Sequence, residues 1–203
     1  MVFHDSILPK YRGFAPLVNM LINGESKIGV TALFATKEYD MGDIISISEQ
    51  SITYPIIIQT AIQLITRNYN ELAVYVMRKI EAGEQISATS QYKKDGSYSV
   101  WLDEEDYHID WNWNAEKIER FVNAKGYPYA GAFTYVEDKL VRIHHFEVLS
   151  PIEIENKTPG KVIFLEDGIP TIVCGHGLIK VLTATYEDGT AFLPLSKFRL
   201  RFK

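Results

Sequence analysis

The apolar residues of this chain follow one repeat in the first half and another in the last third, and one layer cannot serve both. Between Pro55 and about Glu81, the residues Ile58, Ala61, Ile62, Ile65, Leu72, Val76 and Ile80 recur at the spacing of one helix face, and Gly83 follows as a stop. From about residue 131 the pattern becomes short apolar runs: Ala132–Val136, Leu140–Val148, Lys161–Leu165, Thr171–Cys174 and Leu178–Tyr186. Glu137-Asp138, Glu166-Asp167-Gly168, Gly175-His176-Gly177 and Glu187-Asp188-Gly189 break them at turn-rich points. Ahead of the long helix stand a strand end at Val2-Phe3-His4, a helix over Phe14–Ile22 closed by Asn23-Gly24, and strands over Ile28–Ala35 and Asp43–Ile52. The fold class is α/β: a mixed layer of strands and helices, then a small barrel or barrel-like sheet. A polar connector over about 84–114 and a short capped helix from Asn114 lie between them.

The charge and cysteine counts exclude several classes. The 203 residues carry 26 acidic and 21 basic side chains, a net charge of −5, which argues against binding nucleic acid through a general basic surface. No apolar run reaches the roughly 18 to 20 residues of a membrane span. A single cysteine, Cys174, allows neither an intrachain disulfide nor a thiolate metal cluster. The opening MVFHDSILPK lacks a basic-then-apolar signal pattern, so a cytoplasmic location is expected.

The first dozen residues carry the chemistry. His4 ends a strand, and the loop after it would turn over the carboxyl end of a sheet, where open α/β folds bind ligands. The Glu38–Asp43 segment lies between two strands and could bring a carboxylate to the imidazole, fixing its tautomer and stabilising the imidazolium. Lys10, Tyr11 and Arg12 could hold a phosphate or another acidic ligand. Elsewhere the readings are structural. His144 and His145 are adjacent on a strand, point to opposite faces and cannot easily share an ion; His176 reads as a turn residue and His108 as surface. Asp103–Asp106 reads as a solvated loop that lacks the flanking carboxylate geometry of a glycosidase. Trp101, Trp111, Trp113 and Tyr107 read as one aromatic cluster packed between the domains. The alternating tail Lys197–Lys203 reads as a strand with one buried face.

His4 with Ser6-Ile7-Leu8-Pro9 and Arg12-Gly13 resembles the HxSLLPxxRG signature of the formyltetrahydrofolate-dependent formyltransferases. The resemblance continues in order through Ala15-Pro16, Asn23-Gly24-Glu25, Gly29-Val30-Thr31, Asp40-Met41-Gly42-Asp43-Ile44, Ile109-Asp110-Trp111, Ala115–Ile118, Pro128–Ala132, Pro159–Val162 and Cys174–Gly177. It implies a Rossmann-like formyltransferase domain lacking its amino-terminal part over residues 1–105, then a linker helix and a small OB-like β-barrel over 106–203. It implies transfer of a formyl group from 10-formyltetrahydrofolate to an amine, with no metal. It gives catalytic roles to His4 and Asp40, folate contact to Ser6, Ile7, Leu8 and Pro9 and to Thr36, Lys37, Glu38 and Tyr39, and substrate contact to Lys10, Tyr11 and Arg12.

Two departures from the family pattern matter. Val2 stands where the family has an asparagine and cannot donate a hydrogen bond to an oxyanion. The chain also starts three residues before His4, where the family has roughly a hundred more. The expected consequence is an open apolar edge at Val2-Phe3, covered by another copy of the chain in a homo-oligomer or by a further segment. The acidic balance, and Asn123-Ala124 where the tRNA-type enzymes have Arg-Ala, favour a nucleotide-linked amino sugar as acceptor. The alternatives are a methionyl-tRNA formyltransferase-like enzyme, or a catalytically inactive remnant acting as a binding or assembly domain.

Overall fold

A computed structural model describes residues 1–203, which form two compact units, Met1–Leu102 and Asp103–Lys203. In the first unit, β1 (Val2–His4), β3 (Lys27–Leu33) and β4 (Ile44–Ser51) make an antiparallel sheet in the order β1-β3-β4, with His4 opposite Thr31 and Thr31 opposite Ile47. A second ladder pairs β2 (Arg12–Gly13) in parallel with β5 (Tyr98–Ser99), Arg12 opposite Tyr98. Two helices complete the unit, α1 (Pro16–Asn23) and α2 (Ile58–Glu81).

The local causes of these elements are plain. Pro16 opens α1, where a missing N–H costs nothing, and Gly24 closes it in the left-handed region at φ 75°, returning its N–H to Leu21 O. On α2 the buried positions are Ile58, Ala61, Ile65, Asn68, Leu72 and Val76, spaced three or four apart. Asn68 is the one polar residue among them. Its amide donates to Ser48 Oγ at 2.7 Å and accepts from Gln50 Nε2 at 2.7 Å, pinning the helix to β4 without an unpaired buried group. The opposite side of α2 exposes Val74, Tyr75, Met77 and Ile80. No helix is long and apolar enough to cross a membrane.

The second unit is a five-stranded antiparallel sheet with one helix. Its strands are β6 (Phe133–Val136), β7 (Lys139–Leu149), β8 (Val162–Glu166), β9 (Ile169–Val173) and β10 (Leu178–Tyr186), in the order β6-β7-β10-β9-β8. Glu137 and Asp138 (φ 49° and 61°) and Asp167 and Gly168 (φ 50° and 78°) make two-residue hairpin loops, whose positive φ angles match the twist of the flanking strands. Helix α3 (Ala115–Ala124) starts where Asn114 Oδ1 accepts from Lys117 N at 2.7 Å and buries Ile118, Phe121 and Val122. His144 and His145 are both exposed on β7, and no group of three ligating side chains is placed to hold a metal.

The aromatic residues read as one cluster belong to different units. Trp111 is buried against Phe202, with its Nε1 donating to Thr134 Oγ1 at 3.0 Å, and Trp113 meets Phe121 edge-on at 5.2 Å. Trp101 instead packs on Phe14 in the first unit at 6.2 Å. Trp101 and the two later tryptophans thus each have a ring partner inside their own unit.

One charge in the second unit is out of place. Lys125, just after α3, is only 2% exposed, its Nζ donating to the Asp106 carbonyl and lying 4.1 Å from the Phe121 ring centre and 4.9 Å from that of Tyr107. Burial pushes its ammonium down to about 8, against the opposing pull of Asp106. In the unfolded chain it titrates near 10.5, so the folded state carries a penalty below pH 8 that is relieved as pH rises toward 10.5. That penalty is on the order of 3 kcal/mol. Lys125→Met is expected to raise stability at pH 7 and to flatten the pH dependence between 8 and 10.5, measured by urea unfolding at several pH values. Destabilisation that is larger at pH 7 than at pH 10.5 would show instead that the ammonium contributes net binding.

Candidate active site

The loop that leaves β1 is built around Thr31, the central residue of the sheet. Thr31 Oγ1 donates to Ser6 O at 2.7 Å and accepts from Leu8 N at 3.1 Å, and Ser6 Oγ donates to Lys10 O at 2.7 Å. These bonds turn the chain back over the sheet with Ser6 and Leu8 facing inward. Ile7 and Pro9 are half-buried and Lys10 is exposed. Tyr11 adopts φ 59°, and its hydroxyl donates to Glu25 Oε1 at 2.7 Å; burial and that carboxylate push it up to about 12. Next to His4 in the chain, Asp5 accepts from the Tyr69 hydroxyl of α2, and burial and Asp5 raise the Tyr69 ionisation.

The turn carries Tyr11 O to within 2.8 Å of His4 Nε2. A carbonyl only accepts, so Nε2 bears the proton and Nδ1 is turned the other way. There it meets Asp40, with Oδ2 at 3.5 Å. His4 is 7% exposed and Asp40 is half-buried. Asp40 adopts φ 53° in the loop between β3 and β4, and the same Oδ2 accepts from Gly13 N at 2.8 Å. The geometry thus brings together His4, Gly13 and Asp40 from three segments.

Gly13 is needed for its backbone. It sits at φ 99°, and a Cβ built there would lie 2.5 Å from Ser99 O, a fixed atom of the neighbouring strand. Arg12 beside it is fully buried, its guanidinium turned to Gln91 rather than to solvent. On the other side of Asp40, Thr36, Lys37, Glu38 and Tyr39 are all exposed; Thr36 Oγ1 donates to Glu38 O at 2.8 Å, and Glu38 pairs with Lys93 at 3.5 Å. Tyr39 leans on Phe14, ring centres 5.9 Å apart.

Beside this group opens a cleft of about 380 Å³ whose walls include Gly13, Phe14, Tyr39, Met41, Tyr98 and Trp101. Asp40 lies between two of its lining residues, Tyr39 and Met41. Sequence reasoning does not reach this cleft, because Phe14, Tyr39 and Trp101 are far apart along the chain and proximity in sequence groups Trp101 with Trp111 and Trp113. Cys174 is excluded as a nucleophile: it is fully buried, and burial pushes its thiol up to about 12.

An α/β unit that holds a histidine–aspartate pair at a loop end is thus followed in the chain by a β unit. Likeness to known proteins gives the family. The formyl transferase model matches residues 1–77, and the formyl transferase C-terminal domain model matches residues 102–196. The chain is 32% identical over 178 residues to the methionyl-tRNA formyltransferase of Clostridium novyi, covering 88% of this chain and 56% of that one. It is 28% identical over 189 residues to that of Marinobacter nauticus, covering 93% and 59%. It thus spans just over half the length of these curated relatives. Among solved structures, the N-formyltransferase from Helicobacter canadensis in complex with folinic acid and dTDP-3-aminofucose aligns with TM-score 0.66 and 18% identity over 89% of this chain and 65% of that one. HypX from Aquifex aeolicus in complex with tetrahydrofolic acid aligns with TM-score 0.65 and 23% identity over 91% and 32%. This chain belongs to the formyltransferase family.

Gly13→Ala is expected to separate β2 from β5 and to release Asp40 from the amide. Faster hydrogen exchange at the residue-13 amide than in the wild type and a lower unfolding midpoint for the first unit check this; an unchanged midpoint would show that Ser99 yields at no cost.

Proposed function

We propose that this chain carries the proton-transfer centre of an N-formyltransferase that moves a formyl group to the amine of a nucleotide-linked amino sugar. The observation that carries the reading is the His4 Nδ1–Asp40 Oδ2 approach of 3.5 Å at the lip of an aromatic cleft. When bound, 10-formyltetrahydrofolate would supply the formyl carbon, with tetrahydrofolate as the leaving group and its nitrogen gaining the proton that the amine loses. His4 takes up the proton that the attacking amine must lose, at Nδ1, while Tyr11 O keeps Nε2–H in place. Asp40 holds the resulting imidazolium, and Gly13 N keeps the carboxylate aimed.

The surrounding residues fit such ligands. The ring faces of Phe14, Tyr39 and Trp101 suit a flat heteroaromatic group, and exposed Lys10 suits a phosphate. Folate contact is assigned to Ser6–Pro9, through Ile7, Pro9 and the backbone because Ser6 and Leu8 turn inward, and to the exposed Thr36, Lys37, Glu38 and Tyr39. Tyr11 and Arg12 shape the substrate side from beneath. Acidic net charge favours a small nucleotide over tRNA, whereas the methionyl-tRNA formyltransferases of Clostridium novyi and Marinobacter nauticus favour tRNA. The homo-oligomer belongs to the same reading, since the apolar side of α2 would leave water in it; light scattering that gives a monomer mass at all concentrations removes that part.

The test is to incubate the chain with 10-formyltetrahydrofolate and either a dTDP-linked 3-amino sugar or methionyl initiator tRNA, and to detect the formylated amine by mass spectrometry. Formylation of the sugar nucleotide is expected, with His4→Ala lowering the rate by about 10²- to 10⁴-fold. Formylation of the tRNA alone would select the other acceptor, and no product from either would support the inactive remnant.

A further inference from the structure

We infer that Gln91 is a positioning residue for the His4–Asp40 pair, and that the buried Arg12 is its anchor. The catalytic meaning of this rests on the function proposed above, whereas the geometry does not.

Gln91 lies in the connector ahead of β5 and is used at both ends of its carboxamide. Nε2 donates to Asp40 O at 2.8 Å and to Gly42 O at 2.7 Å. Oε1 accepts from Arg12 Nη2 at 2.8 Å and from Arg12 Nε at 3.2 Å. The orientation of the amide is not arbitrary, because a guanidinium only donates and the two carbonyls only accept. Gln91 therefore reads both sides of the site: the strand that ends at Gly13, and the loop that presents Asp40.

Asp40 needs such a clamp. Its φ of 53° lies in the left-handed region, which aspartate reaches more easily than most residues but which still costs energy unless hydrogen bonds hold it. Gly13 N fixes the carboxylate, and Gln91 fixes the carbonyl of the same residue and that of Gly42 two residues on. With backbone and side chain both held, Oδ2 has one place to go, facing His4.

Arg12 makes the clamp rigid. It is fully buried, and its hydrogen-bond acceptor is the Gln91 carbonyl oxygen rather than a carboxylate. Its Cζ lies 5.8 Å from the Tyr98 ring centre, and Nη1 has no partner. A Cβ at Gly96 would come within 2.1 Å of that Nη1, so the guanidinium fills a slot made by the absence of a side chain. A guanidinium this deep, with an amide carbonyl as its acceptor, costs folding energy. Gln91 is the group that its immobilised donors serve.

The test is amide NMR on the full 203-residue chain, with Gly13 as the reporter of its bond to Asp40 Oδ2 and Asp40→Ala, which has no acceptor, as the reference for its loss. Gln91→Glu keeps an acceptor for Arg12 but removes both donors to the Asp40 and Gly42 carbonyls, so it separates positioning from packing. In Gln91→Ala and Gln91→Glu, the Gly13 amide is expected to shift toward its Asp40→Ala position. Its hydrogen exchange should speed by roughly tenfold, as loss of a charge-assisted hydrogen bond implies, with α2 amides unchanged. Gly96→Ala, which acts only through Arg12, is expected to do the same. A Gln91→Glu chain whose Gly13 amide matches the wild type overturns the inference, and so does exchange that speeds equally throughout α2. If the chain formylates an amine, kcat should fall about tenfold in Gln91→Glu with KM unchanged, and a fall confined to KM overturns the inference. If it formylates nothing, the Gly13 amide still decides the matter, so failure of the functional reading stays distinct.

Discussion

The bond from the Gly13 amide to the Asp40 carboxylate is the joint on which the first unit's site depends. It links strand β2 to the loop between β3 and β4, and a charged acceptor makes it stronger than an ordinary backbone bond. Without it, the Asp40 carboxylate would have no fixed direction, and His4 Nδ1 would face water or an empty gap. The joint can exist only because Gly13 has no side chain, since Ser99 O occupies the space that a Cβ would need. The short β2–β5 ladder, although only two residues long, thus sets the geometry of the chemistry.

Around that joint the first unit solves its buried polar groups in different ways. Thr31 satisfies two backbone groups of the turn after β1 with one hydroxyl, and Asn68 serves two side chains of β4. Both are neutral and leave no polar side-chain atom without a partner, the arrangement in which buried polarity stabilises and specifies packing. The ion-like groups are treated less evenly. Arg12 leaves one nitrogen without a partner, and Lys125 in the second unit is held by one carbonyl and two ring faces. Such costs tend to sit where a fold has a job beyond stability, and Arg12 sits directly beneath the Asp40 loop.

On the proposed function, discrimination between acceptors turns on surface rather than on the His4–Asp40 pair, because a histidine–aspartate pair treats any amine alike. The features that could discriminate are the exposed rings of Phe14, Tyr39 and Trp101 and the exposed Lys10. They belong to loops, where specificity changes without disturbing the sheet that positions His4.

What could be read along the chain was whatever short-range physics settles. The three-and-four spacing from Ile58 to Val76 defined α2, because a helix buries one face whatever it packs against. Glu137-Asp138 and Asp167-Gly168 announced hairpins, because few residues accept the positive φ of a two-residue loop. The ordered motifs from His4 to Gly177 carried the family resemblance. What the chain could not reveal depends on where distant segments meet. Nothing local distinguishes a basic loop whose arginine faces solvent from one whose arginine is sealed inside, and only the folded unit turned Arg12 to Gln91. No spacing rule connects Gln91 with Asp40, or Trp101 with Phe14; a hydrogen bond or ring contact across tens of residues is created by packing, not by sequence neighbours. The 3.5 Å between His4 and Asp40 is of the same kind. Residue types made it possible, and the register of β1 on β3 together with the Gly13 joint made it so.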